Sequence, residues 1–457
     1  MRIVLIGFRG TGKTAVGRLL SKRLGIPLLD TDDLIETREG RSISEIFHSG
    51  GEIYFRKIEK EVITNLPEAG VVISTGGGAV LDPVNVEHLR AKSFVFFLSA
   101  EPDTIIRRIQ KSKRPPLTNL PFPEEVRHLL EIRRLEYLKV ADYCLDTTRT
   151  EVSAIADTVQ KILEGKNISC EQVSKEYQEK IALSSEDLAV LSQENTPNGG
   201  YPRICAVMGN PASHSKSPAL FNRLFTHYRL PYKYIRMEAP EVSNLLIFAR
   251  LCDFRGLSVT LPFKQQVIPY LNEVDRTAQQ IGAVNTIVQC GNLMHGFNTD
   301  WLGIQRPLVH LKGSKVAVIG AGGAAAAAVY ACLTLDMQVT ILNRTIERGQ
   351  SLAERFGCVS ASIAEFKNLK PEVVINATPV GMFPDTNTPV LVEMLTQDMT
   401  IFDLVYTPPE TPFLQAAAKI GCTTIPGMEM FLHQAREQFL LFTGISAPEA
   451  LVRELMP

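Results

Sequence analysis

The sequence predicts an α/β protein with largely parallel sheets, divided into more than one unit. Three observations carry that prediction. Short continuous apolar runs of strand length, at 2–6, 71–74 and 94–98, alternate with stretches of helical periodicity. This is the pattern of strands buried on both faces by crossover helices. Two glycine-rich turns of different kinds each follow an apolar run and open a helix: Gly7-Phe8-Arg9-Gly10-Thr11-Gly12-Lys13-Thr14 and Gly320-Ala321-Gly322-Gly323-Ala324. Between them residues 167–201 turn polar and end in Asn195-Thr196-Pro197-Asn198-Gly199-Gly200, the composition of a connecting segment.

Taken in order, the strand at 2–6 feeds the first turn and a helix follows over 13–24. That turn fits G-x-x-x-x-G-K-[ST]. Backbone N–H groups around Gly10, Thr11 and Gly12 cradle a nucleotide's phosphates, Lys13 reaches the outer ones, and the Thr14 hydroxyl holds Mg²⁺. Strands at 71–74 and 94–98 extend the sheet and an amphipathic helix over 151–163 closes it. The polar segment carries one helix of its own, over 171–191. From residue 201 a second α/β series begins, with strands at 204–208 and 315–319, the latter entering the second turn. Residues 324–328 are an Ala-rich helix start, and no internal repeat is present.

A chain of 457 residues fits roughly three domains of about 150 residues. Lys plus Arg number 48 against 49 Asp plus Glu, so no global field recruits nucleic acid or an anionic membrane, and any anion site is local. The eight cysteines form no C-x-x-C pair and no Cys/His cluster of metal-ligand spacing, which reads as reduced thiols in a cytoplasmic protein. The apolar start is too short for a signal segment and runs directly into the first turn. The ligands are therefore expected to be small molecules, with no nucleic-acid or membrane partner; the sequence does not give the oligomeric state.

Further motifs follow the first turn: Asp30-Thr31-Asp32-Asp33 at the end of the second strand, Phe55-Arg56-Lys57-Ile58-Glu59, Gly76-Gly77-Gly78, Arg114-Pro115-Pro116-Leu117 and Arg133. Together, over residues 1–165, they closely resemble shikimate kinase. The resemblance implies ATP as cosubstrate, bound at Gly10–Thr14 with Arg108 on the adenine side, and a mobile lid over 111–125 that carries Arg114. Phosphoryl transfer needs charge neutralisation and positioning more than covalent chemistry. Lys13 and Arg114 fit the cationic role. Arg56 and Arg133 supply guanidinium forks for the carboxylate of shikimate. Asp32 holds its ring hydroxyls and serves as base, Gly77 lets backbone approach the ring, and Asp30 supports Mg²⁺ beside Thr14. Lys57 and Glu59 read as structural or ion-pair residues.

In the second half, Ser213-His214-Ser215-Lys216-Ser217 is followed by Thr260-Leu261-Pro262-Phe263-Lys264, Gly282-Ala283-Val284-Asn285-Thr286, Asn298-Thr299-Asp300, the second glycine turn, and Asn376-Ala377-Thr378-Pro379. This order closely resembles shikimate dehydrogenase over residues 202–457. A nicotinamide site selective for NAD carries an acid at the end of the second strand, whereas this chain has Asn343-Arg344-Thr345 with Arg348 one turn later. Cations without a carboxylate there favour the 2′-phosphate of NADPH. The resemblance places the cofactor on Gly320–Ala324, those four residues and Gly427, and makes Lys264 and Asp300 the catalytic pair. It gives the substrate carboxylate to Ser215 and Ser217, and the ring hydroxyls to Thr260, Asn285, Tyr406 and Gln434. Two residues depart from the family pattern: Ser258 where Asn is common, costing one contact or routing it through water, and Trp301 where Gly is common, adding bulk beside Asp300.

The expected architecture is a P-loop kinase sheet over 1–165, a linker over 166–201, a dehydrogenase substrate subdomain over 202–312 completed by 426–457, and a Rossmann NADP subdomain over 313–425. The expected function is reduction of 3-dehydroshikimate to shikimate with NADPH, then phosphorylation of shikimate with ATP and Mg²⁺, the later step lying first in the chain. The residues leave open a dehydrogenase acting on quinate, or a half that binds its ligand without catalysis.

Overall fold

Arg2–Ile6 forms β1 with every residue buried, at the centre of a five-stranded sheet of order β2-β3-β1-β4-β5. Its partners are β2 (Leu28–Asp30), β3 (Val71–Ser74), β4 (Phe94–Ser99) and β5 (Tyr143–Asp146), and all four pairings are parallel. Strand alternation divides the apolar run between two cores. Ile3 and Leu5 pack with Val16, Leu20 and Ile155 from helices Lys13–Leu24 and Val152–Leu163, while Val4 and Ile6 pack with Val126 and Leu129 from helix Phe122–Val140. The computed structural model describes residues 1–110, 117, 118, 120–163, 177, 179–191, 203–291 and 293–457. They fall into two compact units, 1–168 with 290–293, and the remainder.

The second unit holds two six-stranded sheets. The first comprises β6 (Arg203–Gly209), β7 (Tyr232–Glu238), β8 (Gly256–Val259), β9 (Glu273–Val274), β10 (Thr286–Cys290) and β11 (Leu293–Phe297), in the order β7-β6-β8-β10-β11-β9. Strand β10 runs antiparallel to β8. The other comprises β12 (Lys315–Ile319), β13 (Gln338–Leu342), β14 (Val359–Ala361), β15 (Val373–Asn376), β16 (Thr400–Asp403) and β17 (Thr423–Ile425). Its order is β14-β13-β12-β15-β16-β17 with all five pairings parallel. The chain then returns as helix Gly427–Thr443, which packs across helix Asp300–Leu308: a methyl group at Gly303 would lie 2.6 Å from the Met430 carbonyl oxygen. Among the described residues no helix is long and apolar enough to cross a membrane.

Two local expectations change. Asp30 ends β2, but Thr31–Glu39 is helical, because the Asp30 carboxylate accepts the Asp32 N–H at 3.1 Å and caps the helix. Asp32 therefore lies in a first helical turn rather than on a strand end. Within the helix expected over 171–191, Tyr177 is helical and Ser185–Leu191 is helical, with residues 179–184 non-helical between them; residues 171–176 and 178 lie outside the described residues. Ser184 starts Ser185–Leu191 as its cap, its hydroxyl accepting from the Asp187 N–H at 3.1 Å and donating to the Asp187 carboxylate at 2.6 Å. Of the expected lid, residues 111–116 and 119 lie outside the described residues, Arg114 among them, and from Phe122 onward the chain is already helix.

Candidate functional sites

The first turn joins β1 to helix Lys13–Leu24. Gly12 precedes the helix at φ 90°, and a side chain at Gly7, φ 141°, would run into the Leu98 carbonyl; only glycine suits both positions. The turn leaves backbone N–H groups at a helix N-terminus, an anion site by construction. Lys13 is buried, its Nζ donating to the carbonyls of Gly7 at 2.7 Å and Phe8 at 2.9 Å. The Thr14 hydroxyl donates to Asp30 Oδ2 at 2.9 Å, with the Ser74 hydroxyl 3.5 Å away. Arg108 is tied to the same turn through Gly10 O at 3.2 Å and Thr147 O at 2.7 Å, and Thr147 donates to Thr11 O at 3.0 Å.

Beside this turn, Arg56, Glu59, Asp32, Arg133 and Gly76–Gly78 converge. Arg56 donates to Glu59 at 2.7 Å, and Glu59 is fully buried with its other oxygen lacking a hydrogen-bond partner among the described residues. Burial pushes the Glu59 pKa up against the pull of Arg56. The glycines are needed here for side chains as much as for substrate: a methyl group at Gly76 would lie 2.8 Å from Asp32 Oδ1 and 3.0 Å from Glu59 Oε1, and one at Gly78 would strike the Arg56 guanidinium. Arg133 is buried with its guanidinium over the Phe8 ring, 6.0 Å from the centroid. One turn later the Tyr137 hydroxyl donates to Gly77 O. Tyr137 was missed in the sequence, since a tyrosine acting on a distant backbone carbonyl leaves no local signature.

In the second unit the strand ends bring the other set together. Thr260 N–H bonds to Met208 O at 3.0 Å and Asn210 N–H to Leu261 O at 2.9 Å, joining the ends of β6 and β8. Asn285, just before the antiparallel β10, bonds through its N–H to Phe297 O at the end of β11. There Lys264 Nζ donates to Asp300 Oδ2 at 2.6 Å, and Asn285 Nδ2 donates to Asp300 Oδ1 at 2.7 Å. Lys264 keeps some exposure while Asp300 is buried. Ser215 accepts the Ser217 N–H at 3.3 Å at the start of helix Ser217–His227. Tyr406 follows β16; burial and then the Asp300 charge raise its pKa, so it lies within electrostatic reach of the pair. Gln434 is buried, but its amide donates to Phe431 O of its own helix at 3.2 Å.

A further residue stands one turn beyond it. Gln438 donates to Thr286 Oγ1 at 2.9 Å and accepts from Ser258 Oγ at 2.7 Å, and Ser258 in turn accepts from the Tyr234 hydroxyl at 2.5 Å. Ser258 thus has partners on both sides despite its shortness. Trp301 packs edge-on to Tyr330, centroids 5.4 Å apart, against the core under the Ala-rich helix, so that packing takes up its bulk.

The second turn meets the pair directly: a methyl group at Gly323 would lie 3.2 Å from Lys264 Cβ, whereas Gly322 has open space around it. Gly320 at φ 119° passes 3.1 Å from the Ala377 carbonyl oxygen by the same measure, and Gly427 abuts the Val405 and Asp403 carbonyls. Ala321 and Ala324 flank the turn at the start of helix Gly323–Thr334. Asn343 Nδ2 donates to Thr345 O at 2.7 Å, leaving Arg344 and Arg348 exposed beyond β13.

Residues 9–164 match the family model for shikimate kinase. Residues 207–287 match the shikimate dehydrogenase substrate binding domain, 304–404 the shikimate/quinate 5-dehydrogenase model, and 427–456 the shikimate 5′-dehydrogenase C-terminal domain. The shikimate dehydrogenase (NADP(+)) of Halothermothrix orenii is 38% identical over 273 residues, covering 55% of this chain and 94% of that relative. Among solved structures, Thermus thermophilus shikimate 5-dehydrogenase in complex with NADP(H) and shikimate is 31% identical, TM-score 0.52, covering 56% of this chain and 98% of its own. Corynebacterium glutamicum quinate dehydrogenase in complex with NAD is 32% identical, TM-score 0.52, with coverage of 56% and 98%.

Proposed function

Because this chain belongs to the shikimate dehydrogenase family over its C-terminal half and carries a shikimate kinase domain ahead of it, we propose that it performs two consecutive reactions. The C-terminal half reduces 3-dehydroshikimate to shikimate with NADPH, and the N-terminal half phosphorylates the hydroxyl so formed with ATP and Mg²⁺. The observation that carries this reading is that each nucleotide turn adjoins, within its own unit, a set of cations and carboxylates suited to a hydroxylated ring acid. The catalytic units are residues 1–165 and residues 202–457, the latter with its Rossmann subdomain over 313–425.

In the dehydrogenase a bound nicotinamide would supply hydride to the ketone carbon. The oxygen, gaining charge, takes its proton from Lys264 Nζ; Asp300 holds that ammonium, and Asn285 holds Asp300. Ser215 and Ser217 bind the carboxylate, and Thr260, Asn285, Tyr406 and Gln434 the ring hydroxyls. The open backbone at Gly322, ahead of a helix N-terminus, suits a pyrophosphate, and Arg344 with Arg348 suits a 2′-phosphate.

In the kinase Asp32 takes the hydroxyl proton, Arg56 and Arg133 bind the carboxylate beside Gly77, Lys13 and Arg114 balance charge on the transferring group, and Arg108 lies on the adenine side. Thr14 and Asp30, one hydroxyl and one carboxylate already in contact, fit Mg²⁺, which is held by few protein oxygens together with phosphates and water. When bound, the ion neutralises charge on the phosphate oxygens. A coupled assay tests the whole reading: 3-dehydroshikimate should oxidise NADPH, and added ATP should then yield ADP. Faster turnover of quinate with NAD⁺ than of shikimate with NADP⁺ would favour the quinate reading, and absence of turnover in one half would make it a binding module.

A further inference from the structure

Of the connecting segment, residues 177 and 179–191 pack within the second unit. Tyr177, Ile181 and Leu191 are buried in the core of its first sheet, with the Tyr177 ring 6.1 Å from that of Phe248. Ala182 makes both bonds of an antiparallel bridge with Glu238, donating to its carbonyl at 2.7 Å and accepting from its N–H at 3.2 Å. Asp187, also buried, turns a carboxylate oxygen to the Arg236 N–H at 3.4 Å. Strand β7 lies at the edge of its sheet, and an edge strand presents a row of unpaired backbone groups. Here that edge is occupied at residues 236 and 238.

The same two residues, on one face of the strand, send their side chains to the loop after β6. Glu238 Oε1 accepts the Ala212 N–H at 2.6 Å, and Arg236 Nη2 donates to the Ser215 carbonyl at 3.0 Å. The loop between these anchors carries Ser215 and leads into Ser217. We propose that residues 177 and 179–191 form a brace built into the dehydrogenase, and that Arg236 and Glu238 are positioning residues through which its docking fixes the substrate-carboxylate loop. The proposal rests on the dehydrogenase reading of that loop. A carboxylate clamp works only when its donors are held to within about 0.5 Å, and a strand edge fastened at two points is a means of holding them.

The test uses the full chain with Ala182→Pro, which removes the N–H given to Glu238, and with Glu238→Ala and Glu238→Gln. Ala182→Pro and Glu238→Ala should raise KM for 3-dehydroshikimate about five- to tenfold, the loss expected for roughly one net hydrogen bond. KM for NADPH, kcat and the kinase rate should stay unchanged, and amide exchange at 212–217 should accelerate. Glu238→Gln keeps an acceptor and should stay near the parent KM. An unchanged KM in both loss variants, or a parallel decline of every dehydrogenase parameter, would overturn the brace. Should Ala182→Pro fail to fold, the Ala/Gln pair at 238 decides. If the parent chain oxidises no NADPH, the site reading fails by itself, while exchange at 212–217 still reports whether the brace exists.

Discussion

Lys264 and Asp300 come from different elements, the turn after β8 and the first residue of helix Asp300–Leu308, and meet at 2.6 Å only because β8, β10 and β11 bring their ends together. Lys264→Ala should lower kcat for NADPH-dependent reduction about 10²- to 10⁴-fold, the range for a lost general acid. ADP formation from ATP and shikimate should remain at the parent rate, and loss of both would show the halves to be interdependent. Asp403 yields a second expectation. It is fully buried and accepts from Asn376, Val405 and Thr411. Burial outweighs those bonds and pushes its pKa from 3.8 up to about 6. A carboxyl whose folded pKa is raised stabilises the fold while neutral. That contribution is complete below the unfolded value and is lost as pH rises through the folded one, at most about 3 kcal/mol. Asp403→Asn, which can still accept from Asn376 and Val405, removes this term. In urea unfolding the parent should therefore lose stability relative to the variant between pH 3.8 and 6; a constant difference across that window would contradict the assignment. Lys264 and Asp300 were legible because each lies in a motif with its own spacing. Tyr137 and Gln438 were not, since one acts on the Gly77 carbonyl and the other on Thr286, partners that only the folded chain brings near.

At the scale of elements, the buried strands β1, β3, β4, β6 and β12 were read closely, because strands covered on both faces are continuous apolar runs; β8, β10, β15 and β16, equally buried, were not read. The short elements were read less well where a side chain competes with the backbone. Asp30 and Ser184 each start a helix by capping it, and periodicity alone does not register a cap. The glycine triplet after β3 shows what an element can demand of its neighbour. A methyl group at Gly78 would strike the end of the Arg56 side chain, a flexible group, rather than fixed backbone. Gly78→Ala should therefore fold normally while displacing Arg56 from its bond with Glu59. KM for shikimate is expected to rise about tenfold, as for a lost charge-assisted contact, with KM for ATP unchanged. Steady-state kinase kinetics with each substrate varied would check this, and a rise in KM for ATP alone would refute it. By contrast Gly7→Ala meets the Leu98 backbone at φ 141° and should weaken ATP binding and lower the thermal midpoint together.

For the whole molecule, the question is how the two reactions communicate. Each unit has its own sheets and cores, and each proposed set of catalytic side chains lies within a single unit. Chemical coupling needs no more than that. Reduction of a ketone by NADPH is reversible, whereas phosphorylation of the resulting hydroxyl by ATP is strongly downhill, so the kinase removes the dehydrogenase's product and draws the first equilibrium forward. Adding ATP and Mg²⁺ to a dehydrogenase reaction at equilibrium should restart NADPH oxidation, and a kinase-dead Lys13→Ala chain should not respond. Whether the intermediate passes through bulk solvent is a separate matter with its own measurement. If each unit takes its substrate from solution, unlabelled shikimate added to labelled 3-dehydroshikimate should dilute the label in shikimate 3-phosphate to the ratio of the mixed pool. Label retained above that ratio would mean direct transfer between the units, and would contradict the view that the fusion couples its two reactions through mass action alone.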